Sequence, residues 1–266
     1  MQDFAIVEEA LEITADALRS VRRPYIAFSG GKDSLVVADL VSRIDDSIRL
    51  VYCDDELLYP EHVSYMLEMK AYYSERLRVV EGGSVHAGWF VPWQEPLWRE
   101  PDPAMQMEYL PWMRRERGAG RWKLGPGQLA GRLGYDSVFL GLRRAESMRR
   151  ADILADTSGI NTINGITYVN PIIDWSVDDI WRYIAQRGLD YCPVYDVMDR
   201  IGVGRRRARV GPLPLSDGSH LWKGWPQTYI QLLTRYGRRW RVPTRRPHHM
   251  DMLTWIEIRD VLETQK

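Results

Sequence analysis

An α/β fold with an open, mostly parallel sheet sandwiched by helices is predicted by two features of the first 200 residues. Short apolar runs alternate with amphipathic stretches of ten or more residues, and the first run ends in a glycine pair that opens directly onto a helix. With 266 residues, 45% hydrophobic and 27% charged, the chain is large enough to bury one sizeable core, which excludes disorder as its main state.

Residues 4–19 place Phe4, Val7, Ala10, Leu11, Ala15 and Leu18 at helical spacing, so an amphipathic helix opens the chain. The run 24–28 reads as the first strand, ended by Ser29-Gly30-Gly31, and 33–44 as the helix that follows. Residues 48–53 form the second strand, followed by Asp54, Asp55 and Glu56 and a helix over 61–75; 77–80 form the third strand. Strand four is expected at 137–140, and a fifth at an edge within 166–173, where Pro171 cannot donate to a ladder. A helix over 177–187 closes the body, with Ser176 as N-cap and Asp178 and Asp179 in the first turn, where carboxylates suit the helix dipole.

Between strands three and four, residues 82–134 are rich in proline and tryptophan. This stretch reads either as a lid or binding loop, or as an insertion that packs on itself or a partner. The organisation expected is a body of residues 1–196 and a basic extension of residues 197–266, with helices near 227–236 and 252–263.

Charge and cysteine content narrow the function classes. The chain carries 36 Lys+Arg and 36 Asp+Glu, so it has no long-range attraction to nucleic acid or anionic membrane as a whole. Residues 200–266 nevertheless hold 14 basic and 5 acidic side chains, which makes that part a basic face for an anionic partner or for the acidic body. Cys53 and Cys192 are the only cysteines and no CxxC occurs, which excludes a disulfide scaffold, a four-thiolate zinc site and a cysteine-held iron–sulfur cluster. Two thiols suit a reducing compartment, and the acidic, helical opening has no basic leader pattern. A cytoplasmic protein without a membrane span is expected.

The segment Ser29-Gly30-Gly31-Lys32-Asp33-Ser34 joins a strand to a helix. Glycines there let backbone amides turn toward an anion, and the helix N-terminus adds partial positive charge. A GxxxxGK[ST] loop cannot be laid on these residues. The hydroxyls of Ser29 and Ser34 suit phosphate oxygens, Lys32 can neutralise them, and Asp33 can fix the loop or help hold Mg²⁺.

This loop resembles the SGGxDS signature of the adenine nucleotide alpha hydrolases, and further segments resemble the phosphoadenylyl-sulfate (PAPS) reductase-like family within them. VYCDDELLYPE (51–61) is similar to its DTGxxFPET segment. GLRRAES (141–147), with RRA at 149–151, is similar to GxRRxES…RA, and NPIIDWSVDDIW (170–181) with YCPVYD (191–196) to its DW and NPLYD segments. Together they span residues 24–196. The resemblance implies an adenine nucleotide bound by Ser29, Gly30, Gly31, Lys32, Asp33, Ser34, Asp54 and Gly141, with Lys32, Asp33, Arg143 and Arg144 as catalytic groups. Asp54, Asp55 and Glu56 follow strand two at the edge where open parallel sheets bind ligands and suit ribose hydroxyls or Mg²⁺; Asp33 and Asp55 are the candidate metal ligands. Arg143 and Arg144 follow strand four, and guanidinium forks suit phosphate. Trp175 and Trp181 are expected in the core.

Resemblance to the reductases also implies a nucleophilic cysteine near the C-terminus, yet no cysteine follows Cys192, and Arg121-Trp122-Lys123 and Ile201-Gly202-Val203-Gly204 stand near where relatives carry cysteine pairs. The lysine in SGGKDS is similar to the ATP-consuming members, which cleave between the alpha and beta phosphates. The expectation is therefore adenylation of an acceptor by ATP with Mg²⁺. Two alternatives stand beside it: a PAPS- or adenylyl-sulfate-binding relative of sulfotransferase or reductase type, and a non-catalytic nucleotide- or nucleic-acid-binding module. For a nucleic-acid or other anionic acceptor the candidate residues are Arg205, Arg207, Arg238, Arg239 and Arg241. His248-His249 is not read as a metal site, because adjacent side chains diverge.

Overall fold

A computed structural model describes residues 2–54, 58–81, 107–108, 125–155, 158–210 and 218–229. Asp55, most of 82–134, Arg238, Arg239, Arg241, His248 and the helix expected near 252–263 lie outside them.

The first half alternates as expected: α1 (Gln2–Ser20), β1 (Pro24–Ala27), α2 (Lys32–Ser42), β2 (Arg49–Asp54), α3 (Pro60–Tyr73) and β3 (Leu77–Glu81). A two-residue strand β4 (Met107–Glu108) follows, then α4 (Pro126–Leu133), β5 (Ser137–Phe139), α5 (Met148–Leu154), β6 (Ile160–Ile163) and β7 (Ile166–Val169). The described chain continues with α6 (Val177–Arg187), α7 (Val194–Arg200) and α8 (Gly218–Gly224). The seven strands are ordered β4-β3-β2-β1-β5-β7-β6; all neighbours are parallel except β6 and β7.

Side chains alternate across the sheet with period two. Ile26, Leu50, Tyr52, Val79 and Phe139 face the larger core with α1, α2, α3 and α6. Their neighbours Tyr25, Val51, Val80 and Val138 face the other side, where α4 covers them with Leu129 and Ala130. The register Tyr25↔Arg49 and Tyr25↔Val138 makes β1 the central strand. The chain runs outward from β1 through β2 and β3, then returns to the other side of β1 as β5. That reversal opens a crevice at the carboxyl ends of β1 and β5, the place where such sheets take ligands.

Three expectations are corrected. The strand at 166–169 is interior: Asn164 (φ 52°) and Gly165 (φ 78°) form a two-residue turn to β6, which is the antiparallel edge, and Pro171 lies beyond the strand. An Asn-Gly pair supplies the two positive φ angles that such a hairpin requires. The stretch 82–134 is not wholly an insertion, since β4 extends the sheet and α4 covers it. A boundary after Asp196 falls inside α7, and Leu221, Trp225 and Tyr229 from the expected extension are buried in the larger core. There the Trp225 indole donates to Glu61 (2.6 Å) and its ring lies 4.3 Å from Tyr59.

Candidate functional site

The loop after β1 is braced from within. Ser34 Oγ accepts from the Ser29 amide (3.2 Å) and donates to the Gly31 carbonyl (2.9 Å), so its hydroxyl proton is used by the loop itself, while Ser29 is exposed to the crevice. Gly30 has φ +72°, and a Cβ there would stand 2.5 Å from His62 Nε2 and 2.7 Å from Met66 Sδ. Only glycine satisfies both the angle and the space.

His62 on α3 is the support beneath that turn. It is 2% exposed, its Nε2 donates to the Ser29 carbonyl (3.1 Å), and its Nδ1 is buried without a hydrogen-bond partner among the described residues. Burial depresses the imidazole from 6.5 to about 4, against an opposing contribution from the Ser29 hydrogen bond. The native state therefore holds the ring neutral and the unfolded chain binds the proton more readily. This contribution to stability is complete above pH 6.5 and is lost as pH falls from there toward 4. Urea unfolding should show a loss of about 2 kcal/mol between pH 7 and pH 5 that His62→Gln lacks. An equal acid loss in the variant would refute the assignment.

Lys32 and Asp33 open α2, and Arg143 reaches them from the segment after β5. Lys32 Nζ donates to Asp33 Oδ2 (2.9 Å) and Arg143 Nε to Asp33 Oδ1 (2.7 Å); the two cationic side chains are each 5% exposed and the carboxylate 16%. Arg143 also donates to the Trp175 carbonyl (3.3 Å). Gly141 permits this convergence, because a Cβ there would lie 2.8 Å from the Asp33 carbonyl carbon. The Lys32 amide donates to the Tyr195 hydroxyl (3.0 Å), and its ammonium lies 5.6 Å from that ring.

Above this cluster opens a cleft of about 810 Å³. Its walls are the loop (Ser29, Gly31, Lys32, Asp33, Ser34), the segment after β5 (Leu140, Gly141, Leu142, Glu146, Arg150) and residues that follow α7 (Val203, Arg207, Ala208, Arg209, Val210), with Tyr59, Tyr195 and His220. Lys32, Arg150, Arg207 and Arg209 outnumber Asp33 and Glu146, so the lining is net cationic, as a polyanionic ligand requires.

The structure sorts the candidate residues. Ser29, Gly31, Lys32, Asp33, Ser34 and Gly141 line the cleft, and Gly30 shapes the loop; Asp54 ends β2 at the same edge of the sheet. Arg143 is not in the lining and is held on Asp33. Arg144 is a correction: it donates to the Leu154 carbonyl (3.1 Å) and pairs with Asp174, and it does not line the cleft. Glu146, just before α5, pairs with Arg150 in its first turn (3.3 Å). Arg205 is a second correction. It is committed to Asp196 (2.6 Å) and Asp199 (3.8 Å) on α7, whereas Arg207 faces the cleft.

Asp33 does not fit the metal-ligand role either, since a cation occupies each carboxylate oxygen, and among the described residues no cluster of three or more His, Cys, Asp or Glu could hold a metal ion. Arg150, Tyr195, Tyr59, His62 and His220 were not singled out as site residues by sequence reasoning, whereas Arg209 stands with Arg205 and Arg207 in the basic run read as suited to an anionic partner. For Arg150 and Tyr195 the signal was present, because both sit inside the segments that carry the family resemblance.

Neither thiol belongs to the cleft. Cys192 is fully buried, and burial pushes its pKa up to about 12, far from a reactive thiolate. Cys53 packs beside the second core cluster. Trp175 is in the larger core and Trp181 packs against it, as expected.

The comparisons with known proteins agree with this architecture. The phosphoadenosine phosphosulfate reductase domain family matches residues 23–204. A phosphoadenosine 5'-phosphosulfate reductase of Salmonella choleraesuis is 27% identical over 199 residues, 70% of this chain and 71% of the relative. An adenosine 5'-phosphosulfate reductase of Halalkalibacterium halodurans is 24% identical over 202 residues, 71% of this chain and 79% of that protein. The crystal structure of the PAPS reductase from Candida auris shares the fold with a TM-score of 0.53 at 16% identity, covering 79% of this chain and 90% of that one. No helix among the described residues is long and apolar enough to cross a membrane. With a match that extends from the start of β1 past the end of α7, the chain belongs to the phosphoadenosine phosphosulfate reductase domain family.

Proposed function

We propose that the cleft binds ATP and transfers its adenylyl group to an acceptor with release of pyrophosphate. The observation that carries this reading is the combination of a lysine-bearing phosphate loop with a cationic cleft that no thiol lines. A thiol-based reduction needs a cysteine nucleophile at the ligand, whereas adenylation needs none. The acceptor attacks the alpha phosphorus, the bond to the bridging oxygen of the beta phosphate breaks, and pyrophosphate departs with the electron pair. The protein's part is electrostatic: Lys32, Arg150, Arg207 and Arg209 stabilise charge on the departing group, in a site whose donors are already oriented. Asp33 and Arg143 hold Lys32 in place from below. The fold is compatible with such chemistry, without arguing for it, since chemistry is set by the site.

The names of the curated relatives favour a second reading, in which the same cleft holds PAPS or adenylyl sulfate and ATP is not cleaved. Titration calorimetry with ATP, PAPS and adenylyl sulfate, run beside an assay for pyrophosphate released from ATP and Mg²⁺ with sulfate, small carboxylates, RNA or DNA as acceptors, separates the two. ATP affinity with acceptor-dependent pyrophosphate is the expected result; binding of sulfonucleotides alone would replace the first reading by the second. Stimulation by a nucleic acid that is lost on changing Arg238, Arg239 and Arg241 would identify the acceptor as nucleic acid.

A further inference from the structure

The arginines that follow α7 divide into two sets. Arg205 lies across α7: besides its bonds to Asp196 and Asp199, its guanidinium stands 5.5 Å from the Tyr191 ring and 5.8 Å from that of Trp181, within range of cation–π attraction. The Tyr191 hydroxyl donates to the same Asp196 oxygen (3.0 Å), so the carboxylate is held for the arginine. Gly204, at φ +78°, then turns the chain, and its carbonyl accepts from the amides of both Arg207 and Ala208 (3.1 Å each). Ala208 is buried, and the residues on either side of it, Arg207 and Arg209, line the cleft. At the far end of this strap Val210 lines the cleft together with Tyr195, whose hydroxyl accepts from the Lys32 amide of the loop (3.0 Å).

Buried Ala208 thus seats the middle of the strap in the larger core, and one caged guanidinium ties its beginning to α7. We infer that Arg205 is a positioning residue: it fastens the strap so that Arg207 and Arg209 meet a polyphosphate opposite Lys32, while itself touching no ligand. This rests on the reading of the cleft as a polyanion site. A side chain with only a generic stabilising role would not transmit its effect through two particular neighbours, and that is what the test resolves.

Arg205→Met should weaken ATP binding, and binding of inorganic tripolyphosphate, by about tenfold, with Arg205→Lys recovering part of the loss. In a background carrying Arg207→Met and Arg209→Met, the same change should cost nothing further, because residues acting through one another are not additive. Unchanged affinity in Arg205→Met, or an equal loss in both backgrounds, overturns the inference. Hydrogen exchange at the buried Ala208 amide, which donates to the Gly204 carbonyl, needs no ligand: Arg205→Met should lower its protection, and unaltered protection also overturns the inference. Tripolyphosphate binding without ATP binding would instead defeat the functional reading and leave the positioning role to be judged on the anion and on exchange.

Discussion

Replacing Asp33 by alanine is expected to cost the native state about 3–5 kcal/mol, because it strands two buried cations that now share one carboxylate. Both partners are 5% exposed, so water entering from the cleft replaces the lost oxygens only in part. Against a typical total of about 5–15 kcal/mol, that is a large fraction of the stability of the domain. Urea unfolding would show it as a lower midpoint with little change in slope. Asp33→Asn, which keeps the shape and one acceptor, should lose less. An Asp33→Ala protein as stable as the parent would mean that the cluster is not the buried ionic joint between α2 and the segment after β5. The same geometry warns that loss of activity in Asp33→Ala is by itself no proof of a chemical role.

Lys32→Met separates the two effects. Its removal leaves Asp33 paired with Arg143 through one oxygen and strands the other, so stability should fall by about 1–3 kcal/mol, less than in Asp33→Ala. Pyrophosphate release should fall about 10²–10³-fold, the loss typical of one preorganised donor to a developing charge. A folded Lys32→Met protein with undiminished turnover would remove the loop lysine from the mechanism. If both variants behave as expected, Asp33 acts by holding the cations and Lys32 by meeting the ligand. This is a division of labour between adjacent residues that their identities alone do not suggest.

Much of the fold was legible because its determinants are local. The helix over Val177–Arg187 has a side-chain cap at Ser176, carboxylates in its first turn and Gly188 in the left-handed conformation just past its end, so its limits could be read residue by residue. The phosphate loop was legible for the same reason, since a glycine pair between a strand and a helix prescribes a backbone shape. The antiparallel edge is announced by Asn164-Gly165, but Pro171 points to an edge reading at 166–173, and only the fold shows that the proline lies beyond the strand. The fate of the arginines was not legible at all. Arg143 and Arg144 are adjacent, as are Arg205 and Arg206, yet one of the first pair is buried on Asp33 while the other pairs with Asp174.

What the sequence by itself determined was the alternation of strands and helices, the glycine-pair turn that joins the first strand to its helix and the absence of a thiol after Cys192. All of these depend on neighbours within a few residues or on composition. The tertiary structure alone decided which cation meets which carboxylate, that His62 from α3 lies under Gly30 of the loop, and that the strap after α7 lines the cleft. The physical reason is range: backbone geometry is set by residues close in sequence, whereas charge pairing and burial are set by whichever groups the completed sheet brings within a few ångströms.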